Sequence, residues 1–176
     1  MSISPSPAVP DAEEASVPPV RKQVSVPVPA ERAFEIFAGH PLGWWPSDHK
    51  LVPGQRVRIE FEKWPGGRWY EVDADAVIAD WGRVLVWEPP VRIALSWRID
   101  GRWRPIDDDD KASEIVVTFT PDGPDRSIVE LSHEKLHKHG EWAVSIRAAL
   151  DGPSPGDTLA KFATLVDQVL AGAVAP

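Results

Sequence analysis

The segment from Asp80 to Trp97 constrains this chain more than any other, because it places Trp81, Trp87 and Trp97 along two apolar runs joined at Pro89-Pro90. It reads as strand, Pro-Pro turn, strand, and predicts an antiparallel sheet with a tryptophan-rich concave face. Nine Trp stand against one Tyr and one Met. Wide, rigid apolar rings suit the lining of a cavity as well as the filling of a core. The sequence therefore asks whether this sheet closes on itself or encloses a ligand.

Alternation extends the strand reading over most of the chain. Val20 to Val28 reads as a first strand ended by Pro27 and Pro29. Pro29 to Phe37 then places Ala33, Phe34 and Phe37 on one helical face with Gly39 as the stop, and Pro41 to Trp45 forms a second short helical turn before Pro46. From Arg56 onward the pattern is strands separated by turn residues: Pro65-Gly66-Gly67, Pro89-Pro90, Asp107 to Asp110 and Pro121 to Pro124. Period two puts Val57, Ile59 and Phe61 on one face, and does the same for Ile93, Leu95, Trp97 and Ile99, for Ile115, Val117 and Phe119, and for Val129, Leu131 and His133. Arg58, Glu60, Glu62, Arg92, Arg98 and Glu130 take the opposite, solvent faces.

One-sided strands need a cover. The C-terminus supplies it, with Trp142, Ile146, Ala149 and Leu150 at helical spacing, then Leu159, Phe162, Leu165, Val166, Val169 and Leu170. The stretch Asp151 to Asp157 interrupts that helix, and Asp157 is the expected N-cap of its second half. The expected organisation is an α+β domain over residues 20–172, preceded at 1–19 by a Pro/Ser-rich, acidic tail with no apolar face to offset its ordering entropy.

Composition narrows the partners. A formal charge of −8 argues against nucleic acid and against an anionic membrane surface. The absence of Cys excludes disulfides, thiolate zinc sites and cysteine nucleophiles. No apolar run approaches the roughly 18 to 20 residues of a membrane helix, and the N-terminus lacks the order of a secretory signal, so the expected location is the cytoplasm.

A set of short motifs gives the chain a family likeness. They are Gly66-Gly67-Arg68-Trp69-Tyr70-Glu71, Trp81-Gly82-Arg83-Val84, Trp87-Glu88-Pro89-Pro90, Ser113-Glu114 and His139-Gly140-Glu141. In these the chain, over about residues 20 to 170, resembles the bacterial START-like (SRPBCC) proteins related to the C-terminal domain of the activator of the heat-shock-protein-90 ATPase. The resemblance implies a helix-grip fold, a curved antiparallel sheet packed on a long, interrupted C-terminal helix with a short helical pair after the first strand. It also implies an apolar cavity between sheet and helix that takes a lipid, polyketide or aromatic compound. Relatives often start the last helix with Gly-Gly-Trp, where this chain has Ser154-Pro155-Gly156-Asp157.

Trp44, Trp45, Phe61, Trp69, Trp81, Trp97, Phe119, Leu131, His133, Trp142, Ile146 and Phe162 are the expected cavity residues. His133 stands out, because alternation with Val129 and Leu131 aims a polar ring at the apolar face, where it needs a partner. It is a candidate acid or base, with Glu71 second, since Glu71 shares a strand face with Trp69; Arg68 and Arg83 are the expected partners of Glu71. His133, Glu134, His137 and His139 have the residue types of a metal site without its spacing, so neither a metal nor another cofactor is expected. Trp87 and Trp103 are candidates for an exposed patch and a homodimer contact. The expected function is binding of a hydrophobic small molecule. The alternatives are a cyclase- or hydrolase-like enzyme using His133 and a co-chaperone-type protein-binding module.

Overall fold

The computed structural model describes residue 12, residues 17–152 and residues 158–174. Most of the 1–19 tail, the 154–156 stretch and the Asp157 cap lie outside those residues. The elements are β1 (Val20–Val26), α1 (Ala30–Gly39), α2 (Pro41–Trp44), β2 (Arg56–Phe61), β3 (Arg68–Asp73), β4 (Ile78–Glu88), β5 (Arg92–Trp97), β6 (Ser113–Pro121), β7 (Ser127–Glu134), α3 (Ala143–Asp151) and α4 (Thr158–Leu170). A single-turn 3-10 helix sits at Asp109–Lys111, and two 3-10 pieces joined by a kink at Gly140 span Leu136–Trp142.

All seven strands form one antiparallel sheet in the order β1-β7-β6-β5-β4-β3-β2, curled into a half-barrel. Prolines punctuate its first connection. Pro29 lacks an N–H and has φ fixed near the helical value, which suits the position before α1; Pro41 opens α2 for the same reason. The concave face carries the predicted residues: Ile93, Leu95, Trp97 and Ile99 are buried, as are Ile115, Val117 and Phe119. Against this face α1 sets Phe34 and Phe37, each edge-on to Phe119, while α4 buries Leu159, Phe162, Leu165 and Val166. This is the α+β helix-grip arrangement. Among the described residues no helix is long and apolar enough to cross a membrane.

On the cover, Ala149 and Leu170, expected on the buried helical face, are exposed, and three assignments on the sheet also need correction. Val57 is exposed, because a bulge between Arg56 and Arg58 breaks the alternation at the start of β2. Arg98 is buried instead of solvated; its guanidinium is held by Asp107 at 2.8 Å and Asp109 at 2.7 Å, so the acidic turn between β5 and β6 is a clamp on a cation. Trp87 is partly buried against Phe34 and Phe61, with ring centroids 5.6 and 5.8 Å apart, and belongs to the core and not to a surface patch. Trp103 is 47% exposed, as expected.

The Asp80–Trp97 run bends at Gly82. A Cβ there would lie 1.9 Å from the Ser96 carbonyl oxygen, so only glycine lets β4 approach β5 this closely. Register shifts on both edges of β4 flank that point, and they allow Trp81 and Val84, three residues apart, both to turn inward.

Candidate functional site

Between the sheet and the C-terminal segment lies a cavity of about 70 Å³ lined by Val20, Lys22, Trp45, His49, Trp97, Ile115, Leu131, His133, Leu150, Thr158 and Leu159. Strand pairing builds it. His133 on β7 pairs with Ile115 on β6 and with Val20 on β1, and Trp97 on β5 pairs with Ser113 at the start of β6. A second space of about 200 Å³ lies beyond, lined by Asp48, His49, Lys50, Leu51, Trp81, Trp97, Ile99 and Trp103. His49 and Trp97 are common to both linings, so these two rings form the partition between the spaces.

His133 is 3% exposed, and its partner is the Ser113 hydroxyl: Nε2 lies 2.6 Å from Ser113 Oγ. That oxygen also lies 2.7 Å from Nε2 of His139, which the kinked turn after β7 folds back over the strand end. The Trp97 ring stands edge-on to both imidazoles, at 5.0 and 5.6 Å. Burial disfavours the charged imidazolium and pushes His133 down to about 3, with His139 close by adding to the effect. His139 is held down to about 4 by burial, against the pull of Asp100. Both rings are therefore neutral at neutral pH. Nδ1 of His133 makes no hydrogen bond among the described residues, which leaves it as the ring atom able to meet a ligand. His49, across the cavity, is also lowered, by burial first, with Asp48 opposing and Arg56 assisting.

Glu71 occupies a different kind of site. Its carboxylate is fully buried and accepts from Arg56 at 2.9 Å, Trp81 Nε1 at 2.9 Å, and the backbone N–H groups of Leu51 and Val52. Arg56 in turn donates to the His49 and Pro46 carbonyls. The expected partners, Arg68 and Arg83, pair with Asp80. Glu71 thus ties the 46–56 loop, which carries His49, down onto the sheet.

Of the twelve residues expected at the cavity, Trp45, Trp97, Leu131 and His133 line it, and Trp81 lines the neighbouring space. The others pack elsewhere. Trp44 stacks on Phe37 at 4.0 Å and donates Nε1 to the Phe37 carbonyl at 2.8 Å; Phe61 and Trp69 continue the stack, and Phe119, Ile146 and Phe162 are core. Trp142 is 39% exposed and lies over Gly101, where a Cβ would come within 2.0 Å of its ring. Sequence reasoning missed Ser113, His139 and His49 as site members. Ser113 shares the inward face of Ile115 and Val117, so the β6–β7 register alone would have placed it near His133. His49 sits in a loop with no periodic signal. Among the described residues no group of three His, Asp or Glu side chains converges as metal ligands.

Comparison with known proteins agrees with the fold and places the chain in a family. Residues 27–150 match the family of activator of Hsp90 ATPase homolog 1-like proteins. Among solved structures, an anthrahydroquino-gamma-pyrone synthase is 51% identical, with 88% of this chain and 99% of that chain covered and a TM-score of 0.59. A self-sacrificing resistance protein from Micromonospora echinospora is 28% identical over 87% of this chain and 96% of its own, at a TM-score of 0.61. Norcoclaurine synthase from Thalictrum flavum, solved with dopamine and hydroxybenzaldehyde, shares the fold at 12% identity, covering 99% of this chain and 100% of its own, at a TM-score of 0.52. A search of curated proteins gave no significant match.

Proposed function

The chain belongs to the family of activator of Hsp90 ATPase homolog 1-like proteins, and within it we propose that this member binds a fused aromatic hydroquinone in the cavity beside His133 and promotes closure of a γ-pyrone ring on it. The observation that carries this reading is a neutral, buried imidazole with one uncommitted nitrogen at the end of a tryptophan-walled hollow. The synthase likeness, at 51% identity over nearly all of that chain, supports this choice of reaction class. It goes beyond the plain binder that the sequence suggested.

The chemistry suits the walls. Closing a γ-pyrone ring through oxygen joins a ring hydroxyl to the far carbonyl carbon of an ortho 1,3-diketone side chain: the hydroxyl gives up its proton as the C–O bond forms, the carbonyl oxygen takes up protons and leaves as water, and the intervening CH₂ loses a proton to complete the ring, all in surroundings that hold a flat, apolar skeleton. Trp97 and Trp45 offer ring faces and edges to that skeleton, and Nδ1 of His133 is the base. Sites for drug-sized ligands run to roughly 300 Å³ or more, so the 70 Å³ at His133 holds only the reacting edge. The remaining rings take the second space, with the His49 ring turned off the partition.

The test is conversion of an anthrahydroquinone carrying a 1,3-diketone side chain ortho to a hydroxyl, followed by mass spectrometry as the loss of one water and by the absorbance of the closed ring. Wild-type protein accelerates closure, and His133→Ala lowers the rate about 10²- to 10⁴-fold, the usual range for loss of a general base, while keeping the fold by circular dichroism. Saturable binding with no turnover would leave a binding protein, a reading that the likeness to the resistance protein favours. Neither binding nor turnover would remove both.

A further inference from the structure

Ser113 Oγ lies between two imidazole nitrogens, at 2.6 Å from His133 and 2.7 Å from His139, and its residue is fully buried. A hydroxyl has one proton to donate and could accept from both rings, but among the described residues the two imidazoles are the hydrogen-bond partners of this buried oxygen, so its proton goes to one Nε2 and it accepts N–H from the other. The two neutral rings must then be opposite tautomers, one carrying its proton on Nε2 and the other on Nδ1. The chain has a direction and two states. One end lines the cavity at His133; the other, His139, is 8% exposed and reaches the surface near Asp100.

We propose that His133, Ser113 and His139 form a proton relay between the cavity and the protein surface. The step balances without any net charge remaining on the relay. A ligand hydroxyl gives its proton to His133 Nδ1; the Nε2 proton of His133 passes to Ser113 Oγ; the Ser113 proton passes to Nε2 of His139; and the Nδ1 proton of His139 leaves to water. Both imidazoles end as neutral rings of the opposite tautomer, and the reverse run resets them.

Such a relay answers a difficulty in the site itself. A ring held near 3 is a poor base if it must keep the proton it takes, because burial penalises the imidazolium. Passing a proton on as another arrives removes that penalty. Lys22 and His49 line the cavity together with His133, and Trp97 is edge-on to both rings; among the described residues no carboxylate lines the His133 end to stabilise a cation there. Asp100, which favours charge on His139, stands at the outer end, where the proton exits. Ser113 and His139 are positioning residues that act through His133.

The inference rests on the reading that His133 meets the substrate, so its test has one arm that needs no substrate. Nitrogen-15 spectra of the ligand-free protein at pH 7 should show His133 and His139 as neutral and in opposite tautomers, and Ser113→Ala should abolish that pairing. Identical tautomers, or a pairing that survives Ser113→Ala, overturn the relay whether or not ring closure occurs. In the second arm, ring closure in H₂O/D₂O mixtures should give a curved proton inventory for wild type. Ser113→Ala should be about 10- to 100-fold slower and linear, and Ser113→Thr should restore both. His139→Gln, which keeps a hydrogen-bonding group but has no second ring nitrogen, should behave like Ser113→Ala and serves where that variant does not fold. A curved inventory and full rate in either variant contradict the relay; absent closure in wild type defeats the proposed reaction and leaves the tautomer arm to decide.

Discussion

Two buried polar clusters sit on the same curved sheet, one around Glu71 and one around His133, and they differ in what remains unsatisfied. Glu71 receives four donors from Arg56, Trp81, Leu51 and Val52, which leaves it nothing to offer a ligand. Among the described residues His133 has a single hydrogen-bond partner, Ser113, and it lines the cavity. A buried charge with a full set of partners holds structure together. A buried neutral ring with a free nitrogen beside a void is arranged for chemistry. Residue type alone does not separate the two; the count of partners does.

The largest expected effect tests the anchor half of that contrast. Glu71→Ala leaves Arg56 buried, with 6% of its side chain exposed, and strips the 46–56 loop of its hold. Breaking such a pair costs about 3–5 kcal/mol, or a fall in Tm of roughly 6–20 °C for a domain of this size. Turnover per folded molecule should drop less than in His133→Ala. A Glu71 variant with unchanged Tm and lost turnover would reverse the two roles.

A smaller effect sharpens the other half through pH. In the unfolded chain an imidazole takes up its proton near 6.5, whereas folded His133 and His139 do so only at about 3 and about 4. Between these values the unfolded state binds more protons, so stability falls as pH drops from 6.5. Lowered His49 contributes with the same sign. The carboxylates held low by their partners, Asp100 and Asp109 among them, lose their contribution only below the usual carboxylate range, so pH 6.5 to 4.5 isolates the imidazoles. His133 supplies at most about 1.4 kcal/mol per pH unit of that slope. Denaturant titrations at pH 6.5 and 5.0 should show a shallower dependence in His133→Ala; an equal slope means that His133 is not held neutral by the fold.

The same contrast explains what the sequence could and could not reveal. Strand faces were legible because burial on one side imposes period two, as from Ile93 to Ile99, and failed where a bulge displaced Val57 or acidic partners drew Arg98 inward. His133 was legible as a polar residue in an apolar register. Its partners were not, since Ser113 is 20 residues away and meets it only through the β6–β7 pairing, and His139 arrives by a kinked turn. Tryptophan content indicated a lined hollow, but most of the rings fill space. Trp44, Trp69 and Phe61 stack upon one another, and only Trp45 and Trp97 are left to wall the cavity at His133.

The most direct measurement is a nitrogen-15 titration of the protein with 1-hydroxyanthraquinone, following the His133 ring and the indole N–H of Trp97 and Trp44 together. The His133 and Trp97 signals should move saturably with added compound, while Trp44, locked to the Phe37 carbonyl inside the solid stack, stays in place. Unmoved His133 and Trp97 signals at saturating compound would contradict the account.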